Sequence, residues 1–262
     1  MGDFSAFATS ALVYLMVVTV IMLLVYKGIE SGMRAMRYSS RNIRTTSLTI
    51  LFSIVGWLIL TGTLSIMHIF TLAKFNPSPL VICVIVSFIG VWYVYKSRKL
   101  NQIIQKLPKG SLVNIQFLRI FTELLLWFMF TDIGRWIPKQ LTIEGYNFDI
   151  VIALAAPFIA YRCFKARSWP KSYAVAWNVL GILMILNMYV LIILTSDSSL
   201  RMFIDGPSSR FVQDFPFVWM PTFTMPLFIL FHLLSIKQIK TPVEKEDFII
   251  RKRKREGKIF EN

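Results

Sequence analysis

Long apolar runs constrain this chain more than any other feature. They fall at about 7–26, 48–72, 80–95, 112–130, 150–164, 173–195 and 217–236, and they are continuous rather than alternating with polar residues. A helix needs about 20 mostly apolar residues to cross a hydrocarbon core of about 30 Å, whereas barrel strands alternate. The expected fold is therefore an all-α membrane protein, a single bundle of about seven transmembrane helices. The third and fifth runs are short and Pro157 lies inside the fifth, so that run reads as a full span or as a broken or re-entrant helix. A mean hydropathy of +0.60, with 55% hydrophobic and only 16% charged residues in 262, excludes an ordinary soluble domain.

Charge gives the expected orientation, because Lys and Arg beside spans are retained in the cytoplasm. Of 29 basic residues, all but Lys74, Arg119, Arg135, Lys139, Arg201 and Arg210 fall in four segments. These follow the first, third, fifth and last runs, which puts the N-terminus outside and the C-terminus inside. The net charge of +15 is then mostly topogenic and carries no nucleic-acid motif. Residues 1–236 read as one membrane domain and 237–262 as a basic cytoplasmic tail, with Arg251-Lys-Arg-Lys-Arg255 beside Phe248, Ile249 and Ile250 suited to anionic lipids. The start Met-Gly-Asp-Phe-Ser lacks the basic region of a secretory signal, so the first run is expected to be retained. Cys83 and Cys163 lie near opposite faces, which argues against a disulfide.

Within the fourth run stand Gln116, Arg119 and Glu123. Charge is costly in hydrocarbon and marks functional candidates when it persists there. Spacings of three and four put these residues and Trp127 on one helix face. Arg119 can snorkel toward the cytoplasm, but Glu123 near the midplane must pair with Arg119, take up a proton or face water. The readings are a structural ion pair or a polar binding site.

Asn178 and Asn187 in the sixth run are candidates for bridging helices, and Asn187 for reaching Glu123. His68 and His232 lie near opposite ends of the bilayer and cannot share a metal, so no metal site and no cofactor are expected. Either histidine suits hydrogen-bonded packing, with His232 also placed to sense cytoplasmic pH. Outside, Asp132, Asp197, Asp205 and Asp214 make the surface acidic, and Thr142-Ile-Glu-Gly-Tyr-Asn-Phe-Asp149 is a dense polar loop. There Gly145 permits a tight turn, while Glu144, Asn147 and Asp149 can cap a vestibule over the fifth helix or ligate a cation. Pro221 and Pro226 should bend the last span.

Three seven-helix classes are rejected by residues. The last run has no Schiff-base lysine, neither an Asp-Arg-Tyr nor an Asn-Pro-x-x-Tyr signature occurs, and Ile236 stands where a ceramidase-like hydrolase needs a second histidine after His232. Another pattern is more informative: Gln116-x-x-Arg119-x-x-x-Glu123, then Leu141 to Ile150, Trp177-Asn-x-x-Gly181 with Asn187, and Phe215-Pro-Phe-Val-Trp-Met-Pro221 with His232. Over roughly 116–236 this resembles a family of uncharacterised bacterial integral membrane proteins. The resemblance implies a bacterial inner-membrane location and supplies no activity.

Two classes of function follow, with a third behind them. One is binding or translocation of a small polar solute, ion or proton through a core around Arg119 and Glu123. The other is a membrane sensor or assembly protein in which that pair is a structural latch. An intramembrane enzyme ranks third, for want of a Ser-His pair, metal triad or nucleophile motif. The expected partners are the bilayer, anionic lipids at the tail and a small polar ligand.

Overall fold

The structure, a computed structural model, describes residues 2–71, 78–131 and 136–241, with side chains from residue 7 onward. Lys74, Asp132, Arg135 and the tail from residue 242, including Lys245, Phe248 to Arg255 and Lys258, lie outside the described residues. Within them the chain is helical with no strand. Its helices are α1 (Gly2–Ala35), α2 (Ser40–Ile66), α3 (Pro79–Lys96), α4 (Arg98–Gln105), α5 (Ser111–Asn114), α6 (Arg119–Thr131), α7 (Asp149–Ala160), α8 (Lys171–Thr195) and α9 (Met225–Lys240). A 3-10 turn over Ile115–Leu118 joins α5 to α6, and π-helical turns at Tyr161–Lys165 and Met220–Thr224 continue α7 and precede α9.

Local chemistry explains the boundaries. Ser39 caps α2 by accepting from Asn42 N at 3.3 Å, and Ser97 caps α4 through Leu100 N at 3.4 Å. Pro79 opens α3, where its missing N–H is no loss. Gly110 caps the start of α5 at φ +94°, a conformation that favours glycine, and a Cβ there would press on the Phe164 ring.

Six helices are long and apolar enough to cross a membrane: 7–35, Ser40–Ile66, Pro79–Lys96, Ser111–Thr131, Lys171–Thr195 and Met220–Lys240. The fifth expected span departs from this. It is 12 residues of α-helix and 5 of π-helix, and its first residue already pairs with Arg119 inside the bundle. α7 thus begins at the depth of the buried charge, with the 136–148 loop descending to meet it. Its far end packs Cys163 and Phe164 with Val113, Ala174 and Trp177.

The last helix is the pillar of the bundle: most of its side chains from Met225 to Ser235 are buried, whereas α3 buries only Cys83. α9 contacts α3, α4, α5 and α8. One consequence concerns Pro226, which can donate neither the α-type bond to Thr222 C=O nor the π-type bond to Pro221 C=O. Side chains of three other helices take those carbonyls. Trp57 Nε1 and Ser87 Oγ donate to Thr222 O at 3.0 and 2.5 Å, and Tyr189 OH to Pro221 O at 2.7 Å. The backbone bonds that Pro226 removes from the last span are thus replaced from outside the helix.

Candidate functional site

Arg119 opens α6 and is 2% exposed. Its guanidinium is donor-only and permanently charged, so its partners must accept. Asp149 Oδ1 takes one nitrogen as an ion pair, and His232 Nε2 takes another at 3.1 Å. The guanidinium carbon lies 5.8 Å from the Phe228 ring centre. Since Nε2 accepts from Arg119, His232 is the neutral tautomer with its proton on Nδ1. That proton goes to Asn178 Oδ1 at 2.9 Å, and Asn178 Nδ2 donates onward to Ser235 Oγ at 3.1 Å and Ala174 O at 2.6 Å. Gly181 makes room for the imidazole, which a Cβ there would strike, and Trp177 lies against its other side at 5.3 Å between ring centres.

Glu123, one turn along α6, is 8% exposed and does not pair directly with Arg119. Asn147 Nδ2 donates to its Oε2 at 2.6 Å and to Leu141 O at 3.0 Å, while Asn147 Oδ1 accepts from Asp149 N at 3.1 Å. The loop that delivers Asn147 is held by Gly145 N to Thr142 O and Tyr146 N to Gln140 O, at 3.0 and 3.2 Å. A Cβ on Gly145 would run into the Lys139 and Gln140 backbone, so the turn needs glycine there. Gln116 is fully buried and donates to Phe228 O at 3.2 Å, which ties α9 to the turn before α6.

The expected ion pair between Arg119 and Glu123 is corrected by this geometry: the partner of Arg119 is Asp149. Helical side chains lean toward the N-terminus of their helix, so Arg119 is directed away from Glu123, while Asp149 arrives at the N-terminal end of α7, where a carboxylate is favoured. Asn147 and Asp149 are accordingly buried core residues instead of rims of an outer vestibule. Asn187 does not reach Glu123; it donates to Tyr146 O at 2.9 Å and steadies the same loop from above. Glu144 is exposed and accepts from Trp127 Nε1 at 2.9 Å.

Asp214 stands apart from the core in the loop after α8, half-buried near Arg210 and His68, and burial holds its carboxyl above the usual value. Ser235 escaped sequence reading, although it lies three residues after His232 and so on the same face of α9. A clue to Asp149 was available too. A run of 15 apolar residues reaches only about 22 Å, so one of its ends had to lie within the membrane.

The result is a core with two carboxylates, one guanidinium and a neutral imidazole. Beside it lies a cavity of about 30 Å³ lined by Arg119, Glu123, Asp149, Thr122 and Thr224 among others, large enough for water and little else. Among the described residues no three of His, Cys, Asp and Glu gather to hold a metal ion.

Six helices long and apolar enough to cross a membrane, packed around buried charge, mark a helical membrane protein. The chain belongs to the family described as a domain of unknown function (DUF8737), which matches residues 75–240 and so takes in the whole polar core. No curated protein and no solved structure matches it.

Proposed function

We propose that the polar core is a proton-binding site, and that the protein moves a proton, or couples one to its work, through Glu123. The observation that carries this is the charge count: Glu123 and Asp149 oppose a single Arg119. Buried charge is tolerated only when compensated, so the core takes one further positive charge. The adjacent cavity has room for water and no larger solute, and among the described residues no three of His, Cys, Asp and Glu gather to hold a metal ion, so the ligand we assign is the proton. Thr122 and Thr224 give that water hydroxyl partners beside the carboxylate.

Infrared difference spectra of the purified protein across a pH titration test this. A protonated-carboxyl band that Glu123→Gln removes, together with proton flux in proteoliposomes that the same change abolishes, is the expected outcome. A spectrum unaltered by Glu123→Gln, or equal flux in both proteins, overturns it.

One observation favours the second reading, a latch. Arg119, Asp149, His232 and Asn178 join α6, α7, α9 and α8 in one hydrogen-bonded unit. If Arg119→Leu with Asp149→Leu keeps full activity in a complementation assay, that unit is structural.

The proposal places the protein in a bacterial cytoplasmic membrane with seven membrane segments, α7 being the partial one. The N-terminus is outside and the basic tail lies on anionic lipid inside. Support comes from the Lys and Arg after α1, α3, α7 and α9. A cytoplasm-dependent reporter should be active after Lys109 and silent when inserted at 198–208; the reverse pattern removes the orientation.

A further inference from the structure

On the side of α9 away from the polar core, a cavity of about 900 Å³ lies between α1, α2, α3, α4, α5 with the 3-10 turn that follows it, and α9. Its origin is visible in the packing of α2 and α3. α2 buries Ile43 and Ser47 at one end and Leu58, Thr61, Gly62 and Ser65 at the other, with no buried residue between. α3 buries only Cys83 and is tied to the bundle beyond it by Ser87. α2 is therefore held at both ends, and α3 is tied to α9 at the basic face as well, where Lys237 Nζ donates to Tyr95 O at 3.0 Å, so the space lies along the unburied middle of α2 and beside Gly90 of α3. Gly28 of α1 and Gly90 of α3, both on the lining, have nothing within 4 Å of where a Cβ would lie, so no side chain fills the space at either position.

Ser53, Gly90 and Tyr93 on its walls are exposed, so the space opens sideways out of the bundle, and left unfilled it would forfeit packing contacts along its apolar walls. Water is no remedy, because apolar walls give it no partners. The walls are mainly Ile, Leu, Val and Phe, and the volume falls within the roughly 300–1,000 Å³ of ligand pockets.

Polarity is uneven along it. At the far end, Trp57 and Ser87 are already engaged by the Thr222 carbonyl. At the basic face the lining holds Lys27, Ser31, Ser111 and Asn114, and the buried Ser111 Oγ has no hydrogen-bond partner among the described residues. The amphipathic α4 closes this end with Leu100, Ile103 and Ile104 on the lining. The acid nearest Lys27 in sequence, Glu30, is taken by Arg34 at 2.6 Å. The mouth is cationic and the interior apolar.

We propose that this chamber holds one anionic glycerophospholipid drawn from the leaflet at the basic face, its acyl chains between α2, α3 and α9 and its phosphate at Lys27 and Ser111. The site is separate from the polar core and does not depend on the proton reading. An apolar helix from a partner protein fits less well, because a free hydroxyl and an ammonium at one end suit a charged head on an apolar chain.

Native mass spectrometry of the full chain in detergent tests the assignment, with phosphatidylglycerol and phosphatidylcholine as probes after delipidation. The wild type should retain one phosphatidylglycerol and prefer it at least tenfold over phosphatidylcholine. Gly90→Phe, which fills the chamber, should lose the retained lipid while the melting temperature stays near wild type. Lys27→Gln with Ser111→Ala should keep a lipid but abolish the preference for the anionic head. No retained lipid in the wild type, retention undiminished in Gly90→Phe, or equal uptake of the two lipids by the wild type overturns the proposal. A second copy of the chain in place of lipid, seen as a dimer that Gly90→Phe dissociates, does so as well.

Discussion

Two cavities share the last helix as their wall and have little else in common. On one side of α9, polar groups from α6, α7 and α8 converge until about 30 Å³ is left. On the other, α2 and α3 stand back and leave about 900 Å³. The difference follows from what each wall can do in a membrane. Buried charge must find partners and draws its surroundings tight, whereas apolar walls gain little by meeting one another when lipid is equally apolar. A membrane bundle can thus be dense around charge and open around hydrocarbon at the same depth.

The largest effect should come from breaking the dense side. Arg119→Leu or Asp149→Leu alone strands a buried charge and should cost about 3–5 kcal/mol, while the double change should recover most of it. Arg119→Leu with Glu123→Leu should remain destabilised, since Asp149 is then left alone. Melting in detergent compares the two doubles, and equal recovery would contradict the pairing seen here.

Next in size is a comparison of glycines. Gly181→Ala drives a methyl into the His232 ring and should cost about 1–3 kcal/mol. Gly90→Ala, facing the chamber, should stay within about 0.5 kcal/mol of wild type in the same melting assay. Similar losses at both would mean that the chamber wall is as tight as the core.

A smaller change tests the hub on α9. Tyr189→Phe removes the donor to Pro221 O and should cost about 1 kcal/mol or slightly more, whereas Ser87→Ala leaves Thr222 O with Trp57 and should cost less. Chemical denaturation of the two variants gives the order, and a greater loss in Ser87→Ala would reverse it.

The smallest effect lies outside both cavities. Burial holds the Asp214 carboxyl above its ordinary 3.8, against the lowering influence of Arg210 and His68. The folded protein therefore binds this proton more tightly than the unfolded chain does. Its contribution to stability is present at low pH and lost as pH rises from 3.8 through the raised folded value. Asp214→Asn should flatten that part of the pH–stability curve, measured by melting across the acidic range; an unchanged curve would remove the assignment.

Much of the dense side was legible in the sequence. Gln116, Arg119 and Glu123 stand out because charge in an apolar run has few explanations, and helical spacing puts them on one face. Asn178 and His232 stand out as polar residues in other spans. Their pairing was not legible, because it depends on which helices are neighbours and at what depth. Asp149 was assigned to the outside by its place at the edge of an apolar run; the descent of the 136–148 loop put it beside Arg119 instead. The open side left no mark on the sequence at all. Ile50, Val91 and Leu230 have the same composition whether they meet one another or a lipid chain.

The pair of carbonyls released by Pro226 gives the bundle a fulcrum. Trp57, Ser87 and Tyr189 attach α2, α3 and α8 to consecutive peptide groups of the π-helical turn before α9. Attachment at a point resists translation far more than rotation. The remaining rotation is checked at the basic end, where Lys237 of α9 donates to Tyr95 O of α3 at 3.0 Å and Ile43 of α2 packs with Met33 and Ile103, so the width of the space between these helices is set at both ends.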